Sequence, residues 1–123
     1  MRGRDMSGPT TDPQSLLPLH PLELRVLLVL AEGNSHGYRI VKEIEARERS
    51  LPRIYPGNLY RRVRDLLAKE LVADADAPDT PEVDSRRRYF RITKLGQAVL
   101  RAEVSRMEGL LNEARRVSLT SLE

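Results

Sequence analysis

The chain has 123 residues, 21 of them basic and 18 acidic, for a net charge of +3, which fits one small domain with appendages. It has no cysteine, which excludes a disulfide framework, a thiolate metal site and a cysteine nucleophile. Aromatic residues make up 4% with no Trp, which leaves little for stacking single-stranded bases, and a calculated pI near 9.6 shifts attention from total charge to its distribution.

The longest apolar run, Leu24 to Ala31, is interrupted by Arg25 and falls far short of the roughly 20 residues a membrane span needs. The amino-terminal MRGRDMSGPTTDPQ lacks the apolar stretch of a secretion signal. A soluble, cytoplasmic protein is expected. Residues 1–19, rich in Gly, Pro, Ser and Thr and without periodicity, read as a flexible arm. Arg2 and Arg4 within it are either solvated filler or cations that could touch a polyanionic partner.

Pro21 suits the first turn of a helix. Leu24, Leu27, Leu28 and Ala31 follow at helical spacing, with Val26, Val29 and Leu30 widening the stripe, so this helix is expected to be central. Gly33 is expected to stop it in the left-handed conformation. Ser35 is the expected N-cap of a second helix, HGYRIVKEIEARE, with Ile40, Val41 and Ile44 inward. SLPRIY (50–55) breaks the pattern. Pro56 then opens a third helix, PGNLYRRVRDLLAKE, burying Leu59, Val63, Leu66 and Leu67 and turning out Asn58, Arg61, Asp65 and Lys69, with Arg62 on the shoulder.

After residue 70 the period changes. LVADA (71–75) is a short strand candidate, DAPDTPEVD a loop, and RRRYFRI a second strand with period two. Arg88, Phe90 and Ile92 are expected on one face, and Arg87, Tyr89 and Arg91 on the other. Thr93 caps a last helix from Lys94 to Val117, about 36 Å long. Leu95, Val99 and Ala102 line its first half and Met107, Leu110, Leu111, Ala114 and Val117 its second. The second half has no cover in its own chain, which calls for a partner subunit.

The expected fold is mainly α with a small β-hairpin: a winged helix-turn-helix over 20–92 and a long C-terminal dimerisation helix and tail over 93–123. A recognition helix buries one side and shows short polar and cationic groups on the other. Asn58 suits adenine, and Arg61 or Arg62 suits guanine or phosphate. An ordinary amphipathic helix with a solvated face has the same pattern. Arg86 and Arg87, at the mouth of the wing, suit the phosphate backbone, or equally a charged, protected edge strand. Tyr38, near a helix start, can donate to phosphate.

Asp74, Asp76, Asp79, Glu82 and Asp84 make the wing acidic. Either only its arginine base touches DNA, or the acids hold the arginines in ion pairs that DNA displaces. His36 and His20 are too few for a metal site. No nucleophile–base order, phosphate loop or carboxylate pair stands out, so neither an enzyme nor a cofactor is expected.

Three segments carry a resemblance to the PadR family of winged-helix transcriptional regulators. They are AEGNSHGYRIVKEIE (31–45), PGNLYRRVRDLLAKELV (56–72) and RRRYFRITKLGQ (86–97). The likeness spans roughly residues 24–117. It implies a dimeric, cytoplasmic repressor of palindromic DNA, often released by a small hydrophobic effector, and the single C-terminal helix resembles the smaller branch of the family. Three residues depart from the pattern: Tyr55 where Ser is common, Asn58 where Thr is common, and Glu70 where a helix-ending Gly is common.

The expected DNA contacts are Tyr38, Asn58, Arg61, Arg62, Arg86 and Arg87, and the expected subunit contacts are Val99, Met107, Leu110, Leu111 and Ala114. The expected partners are double-stranded DNA, a second copy of the chain and a small hydrophobic effector. The rival expectation is a winged-helix protein–protein interaction module without DNA binding.

Overall fold

The computed structural model describes residues 11–49, 56–78 and 87–121. Arg2, Arg4, the 50–55 segment with Tyr55, the wing tip with Asp79, Glu82 and Asp84, and Arg86 lie outside the described residues.

Helix α1 (Pro21–Glu32) starts with reciprocal capping. His20 Nδ1 accepts the Leu22 N–H at 3.0 Å and the Glu23 carboxylate accepts the His20 N–H at 3.4 Å, which satisfies donors a helix start leaves open. Glu23 is buried, and Lys69 Nζ approaches it to 3.3 Å, because a charge taken out of water needs a partner. Val26, Leu27, Val29 and Leu30 are buried, but of the stripe Leu24, Leu27, Leu28 and Ala31 only Leu27 is. Leu24 is half-buried, and Leu28 and Ala31 are exposed, so the buried side of α1 is turned toward the residues expected only to widen the stripe.

Gly33 does not adopt the expected left-handed conformation; its backbone is extended, at φ 160 and ψ 158. The chain therefore leaves α1 straight into a two-residue strand, β1 (Ser35–His36). This corrects the expected cap. Ser35 is buried in the sheet, and His36 caps α2 (Gly37–Arg47) by accepting the Arg39 N–H on Nδ1 at 3.2 Å.

Helix α3 (Pro56–Ala68) buries Leu59, Val63 and Leu66 as expected. It ends in paired bonds, Leu71 N–H to Leu66 O and Glu70 N–H to Leu67 O, with Glu70 left-handed at φ 63. This is a Schellman turn, sealed by contact between buried Leu66 and Leu71.

Strands β2 (Val72–Ala75) and β3 (Tyr89–Ile92) pair antiparallel, with Asp74 opposite Phe90. β1 joins on the other side of β3, with Ser35 opposite Phe90 and His36 opposite Tyr89. The expected hairpin is thus part of a three-stranded sheet with β3 in the centre. Tyr89 and Phe90, on opposite faces of β3, are both buried, so a split into one buried and one exposed face does not hold here. The His36 ring meets Tyr89 edge-on at 5.2 Å.

Helix α4 (Lys94–Ser121) is capped by Thr93, whose Oγ1 accepts the Gly96 N–H at 2.9 Å and donates to the Glu70 carbonyl at 2.7 Å. Its 28 residues span about 42 Å. The first half closes the core with Leu95, Val99 and Leu100. Val99, expected at the subunit contact, is fully buried within its own chain; the apolar stripe it starts is used up on the domain body. From Val104 to Ser118 every residue is exposed.

The last part of the expected flexible arm is folded. Pro13–Leu16 forms a 3-10 turn capped by Asp12, Leu16 and Leu17 pack against the core, and Leu19 is buried. The Leu19 N–H donates to the buried Glu103 carboxylate at 3.0 Å. Three leucines without a helical period give no signal to a periodicity reading, yet they supply enough apolar surface to hold this strap down.

Candidate nucleic-acid interface

Cationic and aromatic side chains gather in two clusters, one where the wing meets α2 and one where it meets α3. The first is built on the start of α2. Tyr38 is 56% exposed. The Arg87 guanidinium lies 5.1 Å from its ring centroid, Lys42 Nζ 5.4 Å away, and the His36 ring stacks at 6.4 Å. Arg87 Nη1 is also 3.4 Å from His36 Nδ1. A tyrosine face attracts cations electrostatically, so this ring gathers charge from helix and wing onto one surface.

The second cluster lies between α3 and the wing. Tyr60, Val63, Arg64, Leu67, Arg88 and Phe90 line a cavity of about 210 Å³. Arg88 forms a two-point ion pair with Asp74, Nε to Oδ1 at 2.6 Å and Nη2 to Oδ2 at 3.1 Å, and its guanidinium lies 5.1 Å from the Phe90 ring centroid. The shared hydrogen bonds pull the Asp74 carboxyl below its usual range and push the Arg88 guanidinium above its own.

Tyr60 links the clusters. A Cβ on Gly37 would sit 2.7 Å from the Tyr60 hydroxyl oxygen, so glycine at the start of α2 lets the third helix lie close.

Among the expected contacts, Tyr38 and Arg87 are brought together. Asn58 and Arg61 are exposed on α3, as the helical period predicts. Arg62 is less available, with a side chain 27% exposed and 3.6 Å from Asp65. Arg86 lies outside the described residues. Lys42, Arg64 and Arg88 were not singled out as contacts. Lys42 follows Tyr38, and Arg64 follows Tyr60, by four residues, the spacing that puts two side chains on one helix face. Arg88 gave no comparable signal, because its partner lies on another strand.

The model of the transcriptional regulator PadR-like family matches residues 26–102. The chain belongs to this family. Solved structures of transcription regulators share this fold. A PadR family transcription regulator from Clostridium difficile superposes with a TM-score of 0.65 at 19% identity, over 80% of this chain and 98% of that one. A transcriptional regulator from Clostridium thermocellum gives 0.64 at 24% identity, over 77% and 87%. RosR of H. salinarum gives 0.59 at 25% identity, over 87% and 92%. No curated protein matches the chain. Membership makes this PadR-like protein a transcriptional regulator, and among the described residues no helix is long and apolar enough to cross a membrane.

Proposed function

We propose that the protein is a homodimeric, sequence-specific DNA-binding repressor released by a small hydrophobic effector. The observation that carries DNA binding is the meeting of Arg87 from the wing with Tyr38 and Lys42 of α2, beside a third helix whose Asn58 and Arg61 are exposed. In this reading Asn58 and Arg61 meet base edges or phosphates, and Tyr38, Arg62, Arg86 and Arg87 meet phosphates.

The dimer reading is supported by the exposed apolar residues Met107, Leu110, Leu111 and Val117 on the far half of α4. Such a stripe on a helix that outruns its own domain is covered by a second copy. An apolar groove of about 360 Å³ between α1 and α4, lined by Leu24, Leu28, Val104, Met107 and Leu111, suits a small hydrophobic effector.

Footprinting on DNA upstream of the protein's own gene, followed by titration across salt, tests this. Six to ten phosphate contacts predict a loss of roughly 10³–10⁵ in affinity between 50 and 200 mM salt. The double variant Arg61→Ala, Arg87→Ala should lose the footprint. A protein–protein interaction module would show no footprint and would keep its partner in that variant. Titrating hydrophobic cations and phenolic acids against the preformed complex tests effector release.

A further inference from the structure

We infer that the cavity between α3 and the wing, lined by Tyr60, Arg64 and Arg88, is a cradle for one backbone phosphate of duplex DNA, and that Asp74 is an intramolecular stand-in holding Arg88 until that phosphate arrives. The inference rests on the DNA-binding reading and assigns to it residues outside the contacts already named.

The geometry of Arg88 is the first support. Its guanidinium presents two donors to the two oxygens of Asp74. A phosphodiester offers the same arrangement in its two non-bridging oxygens, and an arginine fork fits either. The Asp74 and Arg88 side chains are 60% and 63% exposed, so the pair is accessible to exchange and weakly held, as exposed pairs are. The buried Phe90 ring beneath the guanidinium keeps it in position whichever anion it holds.

Arg64 is the second support. It is exposed on α3 and lines the same cavity, yet it makes no ion pair among the described residues. The cavity therefore holds one arginine already bound to an anion and a second without one. Its floor is apolar, with Val63, Leu67 and Phe90, which keeps water from fully screening an anion placed between them. Tyr60 supplies a hydroxyl-bearing wall against Gly37.

This arrangement also accounts for one of the wing's acids, Asp74. Asp74 does not meet DNA; it competes with DNA for Arg88. Such a contact lowers affinity for every sequence alike, because a phosphate carries no base identity.

The test measures binding of a mixed-sequence DNA duplex by fluorescence anisotropy, across salt, for the full chain and its variants, with circular dichroism confirming that each is folded. Asp74→Asn should tighten binding about two- to fivefold, the range expected from freeing one partner of an exposed ion pair. Arg64→Ala and Arg88→Ala should each weaken binding equally on all sequences and lower the salt slope by about one per protomer. In the Arg88→Ala background, Asp74→Asn should lose its effect. If the unaltered protein binds duplex with a steep salt dependence but Asp74→Asn leaves affinity unchanged or weaker, or Arg64→Ala has no effect, the cradle is wrong and the DNA-binding reading stands. If the unaltered protein binds no duplex at any salt, both fall.

Discussion

The carbonyl oxygen of Leu71 lies against Gly96, in the space a side chain on Gly96 would occupy. Leu71 is where α3 has just ended, and Gly96 is in the first turn of α4. The Thr93 N–H also bonds this carbonyl at 3.0 Å, so the start of the long helix is set on the end of the third helix. The contact is with backbone that is itself held by the Schellman turn, so it cannot yield as a flexible side chain would.

Gly96→Ala should therefore destabilise the fold by about 1–3 kcal/mol, as overpacking does, although alanine is the better helix former by about 1 kcal/mol. Urea denaturation of both proteins measures this. An unchanged midpoint would mean that α4 can shift away from Leu71.

Glu70 lies in the same turn with φ 63, a conformation that costs a residue with a Cβ about 1–2 kcal/mol. Its carbonyl accepts the Thr93 hydroxyl, a bond that any residue at this position keeps. Glu70→Gly should raise stability by about 1 kcal/mol, after allowing for the greater chain entropy of glycine. The same denaturation series reads the gain, and a loss would show that the Glu70 side chain has a role its exposure does not reveal.

Glu103 is buried and joins the amino-terminal strap to α4. Its hydrogen bond from Arg106 at 2.6 Å lowers its pKa, burial opposes this, and the Leu19 N–H adds to the lowering. With the folded-state pKa below the unfolded one, the contribution to stability is complete above the unfolded value of about 4.3 and is lost as pH falls through the folded value. Glu103→Gln should cost about 1–2 kcal/mol at neutral pH, and the gap from the parent should close in acid below that value. A gap independent of pH would show that the charge on Glu103 contributes nothing.

Met107 and Leu111 are exposed at 42% and 48%. Replacing both with lysine should leave the stability of the single chain within about 0.5 kcal/mol, as surface changes do, while abolishing the proposed dimer. Sedimentation equilibrium reads this directly. A dimer that survives would place the subunit contact elsewhere.

The order and character of the helices were legible in the sequence, because each pays its backbone cost locally and shows a 3.6-residue stripe, as with Ile40 and Ile44 or Leu59, Val63 and Leu66. In α1, apolar nearly all round, the period did not say which side would be buried, and Leu28 and Ala31 of its expected stripe are exposed. The outward positions of Asn58 and Arg61 follow from the same period. The strained Glu70 turn was marked by the family resemblance, which puts a helix-ending glycine there, and not by a period in this chain.

What the sequence could not give was every feature made by residues far apart in the chain. Ser35 reads as a cap until β3 arrives to pair with it, and Val99 reads as interface until the core closes over it. The ion pair between Asp74 and Arg88, the meeting of Tyr38 with Arg87 and the burial of Leu19 on Glu103 have no period, because each depends on where separate segments dock. Periodicity reports which face of an element avoids water; only the packed fold decides which other element covers that face and which charges are then left side by side.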